Sequence, residues 1–155
     1  MKLIERNGEH FVFEFQRRER QVFDAILELY PVLNPDYHQV SRRKSREKRI
    51  QESQAMLNEA MAEQREKNKG LVSEFLREEN WEKHATRFRV KVTGEEMEWL
   101  LQVLNDIRVG SWVILGKPEN ERGDVPNITL EQMPYAGALE LSGYFQMALL
   151  QARES

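Results

Sequence analysis

The residues best suited to chemistry lie in one apolar stretch, Trp99 to Gly116, WLLQVLNDIRVGSWVILG, whose charged members are Asp106 and Arg108, with Asn105 beside them. A carboxylate and a guanidinium can hold a ligand or a partner chain, or they can pair with other elements and pin the packing. At 100° per residue, Met97, Leu100, Leu104, Ile107, Ser111 and Ile114 form one stripe, and Trp99, Val103, Asp106, Gly110 and Val113 form a second. A helix apolar on two sides is covered over most of its circumference. Asp106 then falls within an apolar row, and Arg108 lies next to Leu101, Leu104 and Trp112. Two residues apart on a helix, the two charges diverge and do not pair with each other. The expectation is that both face inward on opposite flanks, each held by a group elsewhere in the fold, because an unpaired buried charge is too costly. Asn105, Asp106, Arg108 and Trp99 are therefore the candidate structural, ligand-binding or partner-binding set. Catalysis there would need a further acid, base or nucleophile, which the sequence does not supply.

Other reactive residues are scattered. His10, His38 and His84 have no spacing that makes a metal-ligand pair, and the chain has no cysteine, which removes disulfides, thiolate zinc sites and cysteine nucleophiles together. No metal or cofactor is expected. Glycine-rich phosphate loops of the G-x-G-x-x-G or Walker type are missing, and LSGYF around Ser142 lacks the elbow of a serine nucleophile. The basic run RRKSREKR offers Arg42, Arg43, Lys44, Arg46, Lys48 and Arg49 as phosphate contacts, with Arg87, Arg89 and Lys91 as outward-facing additions. This is the basis of an alternative reading as a nucleic-acid binder. Against it, the neighbouring strand aromatics alternate to the other side, leaving none for base stacking, and a solvated helix start is the preferred account of the run. Cations disfavour a helix N-terminus, so that helix is expected to begin earlier, at Asp36 or Ser41, unless the run is partly disordered.

The elements that position these residues follow from local pattern. MKLIER and EHFVFEF flank Asn7-Gly8, which predicts a hairpin over 1–15 with Ile4 opposite Phe11, Leu3 opposite Val12 and His10 opposite Glu5. Val22, Phe23, Ile26, Leu27 and Tyr30 recur at helical spacing until Pro31. After the connector PVLNPDYHQ comes a long polar helix, around 44–69, with a narrow stripe at Ile50, Leu57 and Met61. Gly70 is expected to break it, and Leu71 to Leu76, with Trp81, to form a further short helix. Strict alternation in TRFRVKVT predicts a half-buried strand over 86–92. Thr93 to Glu96 is a capping box that starts the helix 94–115, closed by Gly116 and Pro118. A final helix over 133–152 carries Ala138, Leu141, Phe145, Ala148 and Leu149, with Thr129/Gln132 or Pro134 as alternative starts.

At 155 residues, with 32% charged residues and a net charge of −3, the chain is long enough for one domain with a real core and too nearly neutral to name a partner. The expected architecture is α+β and mostly α: a small antiparallel sheet, made of the N-terminal hairpin plus one later strand, packed on about five helices. It forms a single domain over 1–155 with a helical layer across 17–84. No apolar run reaches bilayer-spanning length and the N-terminus lacks a signal-peptide core, so a cytoplasmic protein is expected.

VTGEEMEWLLQVLNDIRVGSWVILG resembles a bacterial domain family of unknown function, best represented in actinobacteria. Thr93, Glu95, Glu96, Trp99, Leu100, Leu104, Asn105, Asp106 and Arg108 stand at the matching places. LYPVLNPDYHQV and the closing aromatic-leucine helix are similar more loosely. Ile107 replaces the usual leucine, and GKPENERGD matches no motif of that family. Its members are often encoded near a ClpS-like adaptor of regulated proteolysis, so the resemblance implies an adaptor or regulatory role and brings no catalytic residues. The function expected from the sequence is binding of a protein partner, or of a second copy of the chain, without enzymatic activity. The alternatives are a nucleic-acid binder and an enzyme or small-ligand binder centred on Asp106 and Arg108.

Overall fold

A computed structural model of the chain describes residues 1–33, 48–117 and 128–155. Strands β1 (Lys2–Asn7) and β2 (His10–Gln16) form the N-terminal hairpin, and β3 (Trp81–His84) and β4 (Arg87–Thr93) form a second. They make one antiparallel sheet in the order β1-β2-β4-β3. The sheet thus has one strand more than the sequence pattern predicts, and the expected helical layer over 17–84 ends in a strand. Trp81 is the only apolar residue in β3, too little for a period to register. Its turn relies on Ala85, held at φ 55° without the glycine or asparagine that usually marks such a position.

The first hairpin also differs in detail. Its loop is Gly8-Glu9, because Gly8, at φ +64°, supplies the left-handed conformation at the first central position. Arg6 consequently stands opposite Phe11, Glu5 opposite Val12 and His10 opposite Asn7. A register irregularity between Leu3 and Glu5 then returns Leu3 to Phe13, on the apolar side. Across β2 and β4, Phe11 faces Val92, Phe13 faces Val90 and Phe15 faces Phe88, all on the inner side. On the outer side Lys2, Glu14, Arg89 and Glu82 stand in register, an alternation of charge across all four strands.

Four α-helices are described, against about five expected. Helix α1 (Arg17–Glu28) starts with the Glu19 carboxylate accepting the Gln16 N–H at 3.0 Å. Helix α2 (Lys48–Phe75) runs straight through Gly70, which corrects the expected break. Gly70 has open space around it and no left-handed φ. The cost of a mid-helix glycine, about 1 kcal/mol, is offset by burying Val72 and Phe75 just beyond it. Helix α3 (Gly94–Ile114) begins at the predicted capping box: Thr93 Oγ1 accepts the Glu96 N–H at 3.1 Å, and Glu96 accepts the Thr93 N–H at 3.0 Å. Gly116, at φ +83°, follows its end. Both expected starts of the last helix are used, since Thr129 and Gln132 cap a short 3₁₀ turn and Pro134 opens α4 (Met133–Glu154).

Sheet and helices close on a cluster of aromatic rings. Phe15 lies 5.1 Å from both Phe23 and Trp81, Phe23 lies 4.9 Å from Phe145, and Phe75 joins Trp81 at 6.0 Å to Trp99 at 5.7 Å. These rings tie β2, α1, α2, β3, α3 and α4 into one core, and most meet edge to face. No described helix is long and apolar enough to cross a membrane.

Candidate functional site

Helix α3 is central, as its two apolar stripes predict: Met97, Leu100, Val103, Leu104 and Ile107 are buried. Its charged residues are not. Asn105, Asp106 and Arg108 are exposed, which corrects the inward placement expected for the acid and the guanidinium. The Arg108 guanidinium donates to Asn105 Oδ1, one turn back on the same helix, at 3.0 Å. Asp106 borders a small cleft of about 30 Å³ with Tyr30, Val32, Leu33 and Arg65. Burial pushes the Tyr30 hydroxyl pKa up, its hydrogen bond with Asn68 lowers it, the Asp106 charge raises it, and Arg65 lowers it. The row that holds Asp106 is buried at Val103 and at Gly110, where Val32 and Leu33 rest on the helix, and is exposed at Asp106 itself. Periodicity alone gives the row and not the extent of its cover.

Trp99 is half-buried and faces the other way from Arg108, into a groove of about 600 Å³ between α2 and α3 that Asn68, Leu71, Glu74, Phe75 and Glu95 also border. Asn68 is buried there, accepting from Gln64 at 3.0 Å and donating to the Tyr30 hydroxyl at 3.4 Å. Two acids of this groove have structural tasks, since Glu96 caps α3 and Glu98 pairs with Arg153 of α4 at 3.0 Å. Acids in the first turn of α3 also offset the helix dipole. The sequence-predicted set is therefore split: Asn105 and Arg108 touch each other, while Asp106 and Trp99 border two different depressions.

Arg42, Arg43, Lys44 and Arg46 lie outside the described residues, as do Asp36, Ser41, His38 and Pro118. Lys48 and Arg49 open α2, exposed. The strand arginines do not extend that run, because Glu14 takes Arg87 at 2.7 Å and Arg89 at 3.0 Å, and these bonds hold its carboxyl below the usual range. Ser142 is fully buried on α4, and His10 and His84 sit on exposed strand positions. Among the described residues no group of three or more histidines and acids is placed to hold a metal ion.

Two features escape the sequence patterns. Arg20 is only 6% exposed, and its guanidinium carbon lies 4.6 Å from both the Trp81 and Phe88 rings, between them. It pairs with Glu78 at 2.5 Å and, one turn along α1, with Asp24 at 3.6 Å. Desolvation pushes the Asp24 pKa up to about 6 against the pull of Arg20, with Glu28 and Glu78 adding to the rise. The clue was available: Arg20 sits three residues before Phe23 and seven before Leu27, on the buried face.

The second feature is the outward face of α4. Its inner face buries Ala138, Ser142, Phe145, Leu149 and Ala152, yet the outer face is not polar: Met133 is 58%, Tyr144 49% and Met147 56% exposed, with Leu141 and Leu150 beside them. From Met133 to Gln151 the only charged residue is Glu140. Tyr144 alone is tethered, donating from its hydroxyl to Glu19 at 2.8 Å. Trp112 of α3 adds exposed apolar surface, and the Glu98–Arg153 pair sets α3 and α4 antiparallel. Such a face can do no acid–base chemistry, but it can bury against another apolar surface. Comparison of the chain with protein-family models, with curated proteins and with solved structures finds no match.

Proposed function

We propose that the chain works by binding a protein partner, as an adaptor or regulatory protein does, with the outward face of α4 as the contact surface. One observation carries this reading: a 22-residue helix whose exposed side has methionine, leucine and tyrosine and a single charge between Met133 and Gln151. A surface helix normally turns charge to water, and one that is apolar all round is normally covered. Methionines suit such a face because the unbranched thioether adapts to the surface it meets. The resemblance of the 92–116 segment to a family encoded near a ClpS-like adaptor supports the same reading. The split of Asn105, Asp106, Arg108 and Trp99 between separate surfaces favours it over an enzyme built on Asp106 and Arg108.

The test is a photo-crosslinking residue at position 147, introduced in the living cell, with the same residue at the exposed position Glu63 as control. Discrete adducts from position 147, of whatever mass, are expected. If position 147 gives no more adduct than position 63, the reading fails.

A further inference from the structure

We propose that Asn7 is a site of spontaneous modification, where the backbone nitrogen of Gly8 closes a ring on the Asn7 side chain and expels its amide as ammonia. The step balances with water as the only co-reactant. Gly8 N gives up its proton and bonds to Asn7 Cγ, the Cγ–Nδ2 bond breaks, and a five-membered cyclic imide is left in the chain. Water then opens the ring. Addition at Cγ gives aspartate, and addition at the main-chain carbonyl carbon gives isoaspartate, in which the backbone runs through the side-chain carbons.

Three observations put the reaction at the tip of the first hairpin. The nucleophile is free: strand pairing ends at Asn7 and His10, so Gly8 lies beyond the ladder, and among the described residues its N–H gives no backbone hydrogen bond. Its approach is open, because Gly8 has no Cβ and one built there would meet nothing within 4 Å. The amide under attack is exposed and has no hydrogen-bond partner among the described residues. Asn7 also ends its strand, so the rotation that brings Cγ over Gly8 N disturbs only the last pair of the ladder.

The asparagines of the helices are held instead. Asn58 accepts from Gln54 at 2.9 Å, Asn68 from Gln64 at 3.0 Å and Asn105 from Arg108 at 3.0 Å, while Asn80 donates to the Glu74 carbonyl at 2.8 Å. Glu59, Lys69, Asp106 and Trp81 follow them, each with a side chain in the path of attack. Within α2 and α3 the next N–H is committed to a carbonyl one turn back, and the Trp81 N–H donates to the Glu78 carbonyl.

The consequence for the fold is local. Either product adds a negative charge beside Glu9, whose Cβ lies 3.7 Å from the position a Cβ on Gly94 would take at the start of α3. Isoaspartate also lengthens the backbone between Arg6 and Gly8 by one carbon, so position 7 loses its register opposite His10. The end of the hairpin thus loosens as the molecule ages.

The experiment incubates the folded natural chain in mildly alkaline buffer, with Asn7→Ser and Gly8→Asp beside it. Conversion is followed by peptide mapping with fragmentation that separates aspartate from isoaspartate, and by methyl transfer from an isoaspartyl carboxyl methyltransferase. Aspartate is among the few residues that tolerate the left-handed φ of Gly8, and both positions are exposed, so the fold is retained, as circular dichroism will verify. Position 7 is expected to convert several-fold faster than Asn58, Asn68, Asn80 or Asn105, with isoaspartate among the products and a rate that rises with pH. Asn7→Ser should give no product at position 7, and Gly8→Asp should slow conversion there several-fold. Conversion at position 7 no faster than at those four asparagines overturns the proposal, and so does a rate that Gly8→Asp leaves unchanged.

Discussion

The guanidinium of Arg20 and the indole of Trp81 are stacked with 4.6 Å between the guanidinium carbon and the ring centre. Phe88 closes the other side at the same distance, so the cation is held between a strand residue from each half of the second hairpin. This is how α1 is fixed to the sheet edge, with Glu78 completing the neutralisation from the preceding turn. Replacing Arg20 by alanine leaves Asp24 without its cation and the two rings facing a void. The expected loss in urea unfolding is about 3 kcal/mol, the scale for breaking a buried pair from one side. Arg20→Lys is expected to recover less than half of that, because an ammonium cannot lie flat between two rings. Equal stability of the natural chain and Arg20→Ala would show that the stack contributes nothing.

Asp24 gives stability a definite pH dependence. Its pKa is about 6 in the folded chain against 3.8 for the free group, so the folded state binds more protons between those values. Its contribution is thus fully present below pH 4 and is lost as the pH rises through 6. A shift of two pKa units corresponds to at most about 3 kcal/mol, and partial solvent access reduces it. Glu14 acts in the opposite sense: bonded to Arg87 and Arg89, its carboxyl titrates below the usual range, and its contribution is lost as the pH falls through that lowered value. Unfolding free energies followed from pH 4 to pH 8 should decline for the natural chain and decline less for Asp24→Asn, which should be the more stable of the two at pH 8. An Asp24→Asn chain with the same slope would place the titration elsewhere.

Two glycines separate what a sequence says from what a structure requires. A Cβ on Gly110 would lie 2.8 Å from Val32 Cβ and 3.3 Å from Leu33 Cγ, so residues 32 and 33 can rest on α3 only because that position is bare. Gly70 meets nothing. Gly70→Ala is expected to raise stability by about 1 kcal/mol through helix propensity. Gly110→Ala is expected to lose about 1–3 kcal/mol despite the same propensity gain. Thermal unfolding midpoints moving in opposite directions would confirm the contrast, and a shared upward shift would refute it.

The same contrast explains how much was legible. Thr93–Glu96, the alternation of Phe88, Val90 and Val92, and the apolar spacing in α3 and α4 are local signals, and the structure follows them. Long-range facts were not written locally. Trp81 starts a strand because β4 is there to pair with it, and Arg20 is buried because two rings from elsewhere enclose it. Gly70 looked like a stop because the sequence does not record that Val72 and Phe75, just beyond it, reach the core. The candidate site suffered most: the wheel locates Asp106 in its row but not its exposure at the rim of a cleft. The outer face of α4 was concealed by its own apolar composition, since leucines and methionines on a helix read as core.

The exposure of Arg108 leads to a last pair of substitutions on one helix. Its single described partner is Asn105, a neutral amide on the same helix, and both are open to water. Such contacts are worth little, so Arg108→Ala should change unfolding free energy by no more than about 0.5 kcal/mol. Thr93→Ala, in contrast, removes the oxygen that accepts the Glu96 N–H and should cost about 1 kcal/mol. If Arg108→Ala is the more damaging of the two in matched denaturant titrations, the guanidinium holds a structural partner, and the inward-facing arrangement that the apolar rows suggest is restored. If the order is as expected, the start of α3 is set by its cap, and the exposed contact between Arg108 and Asn105 adds little to the helix that carries it.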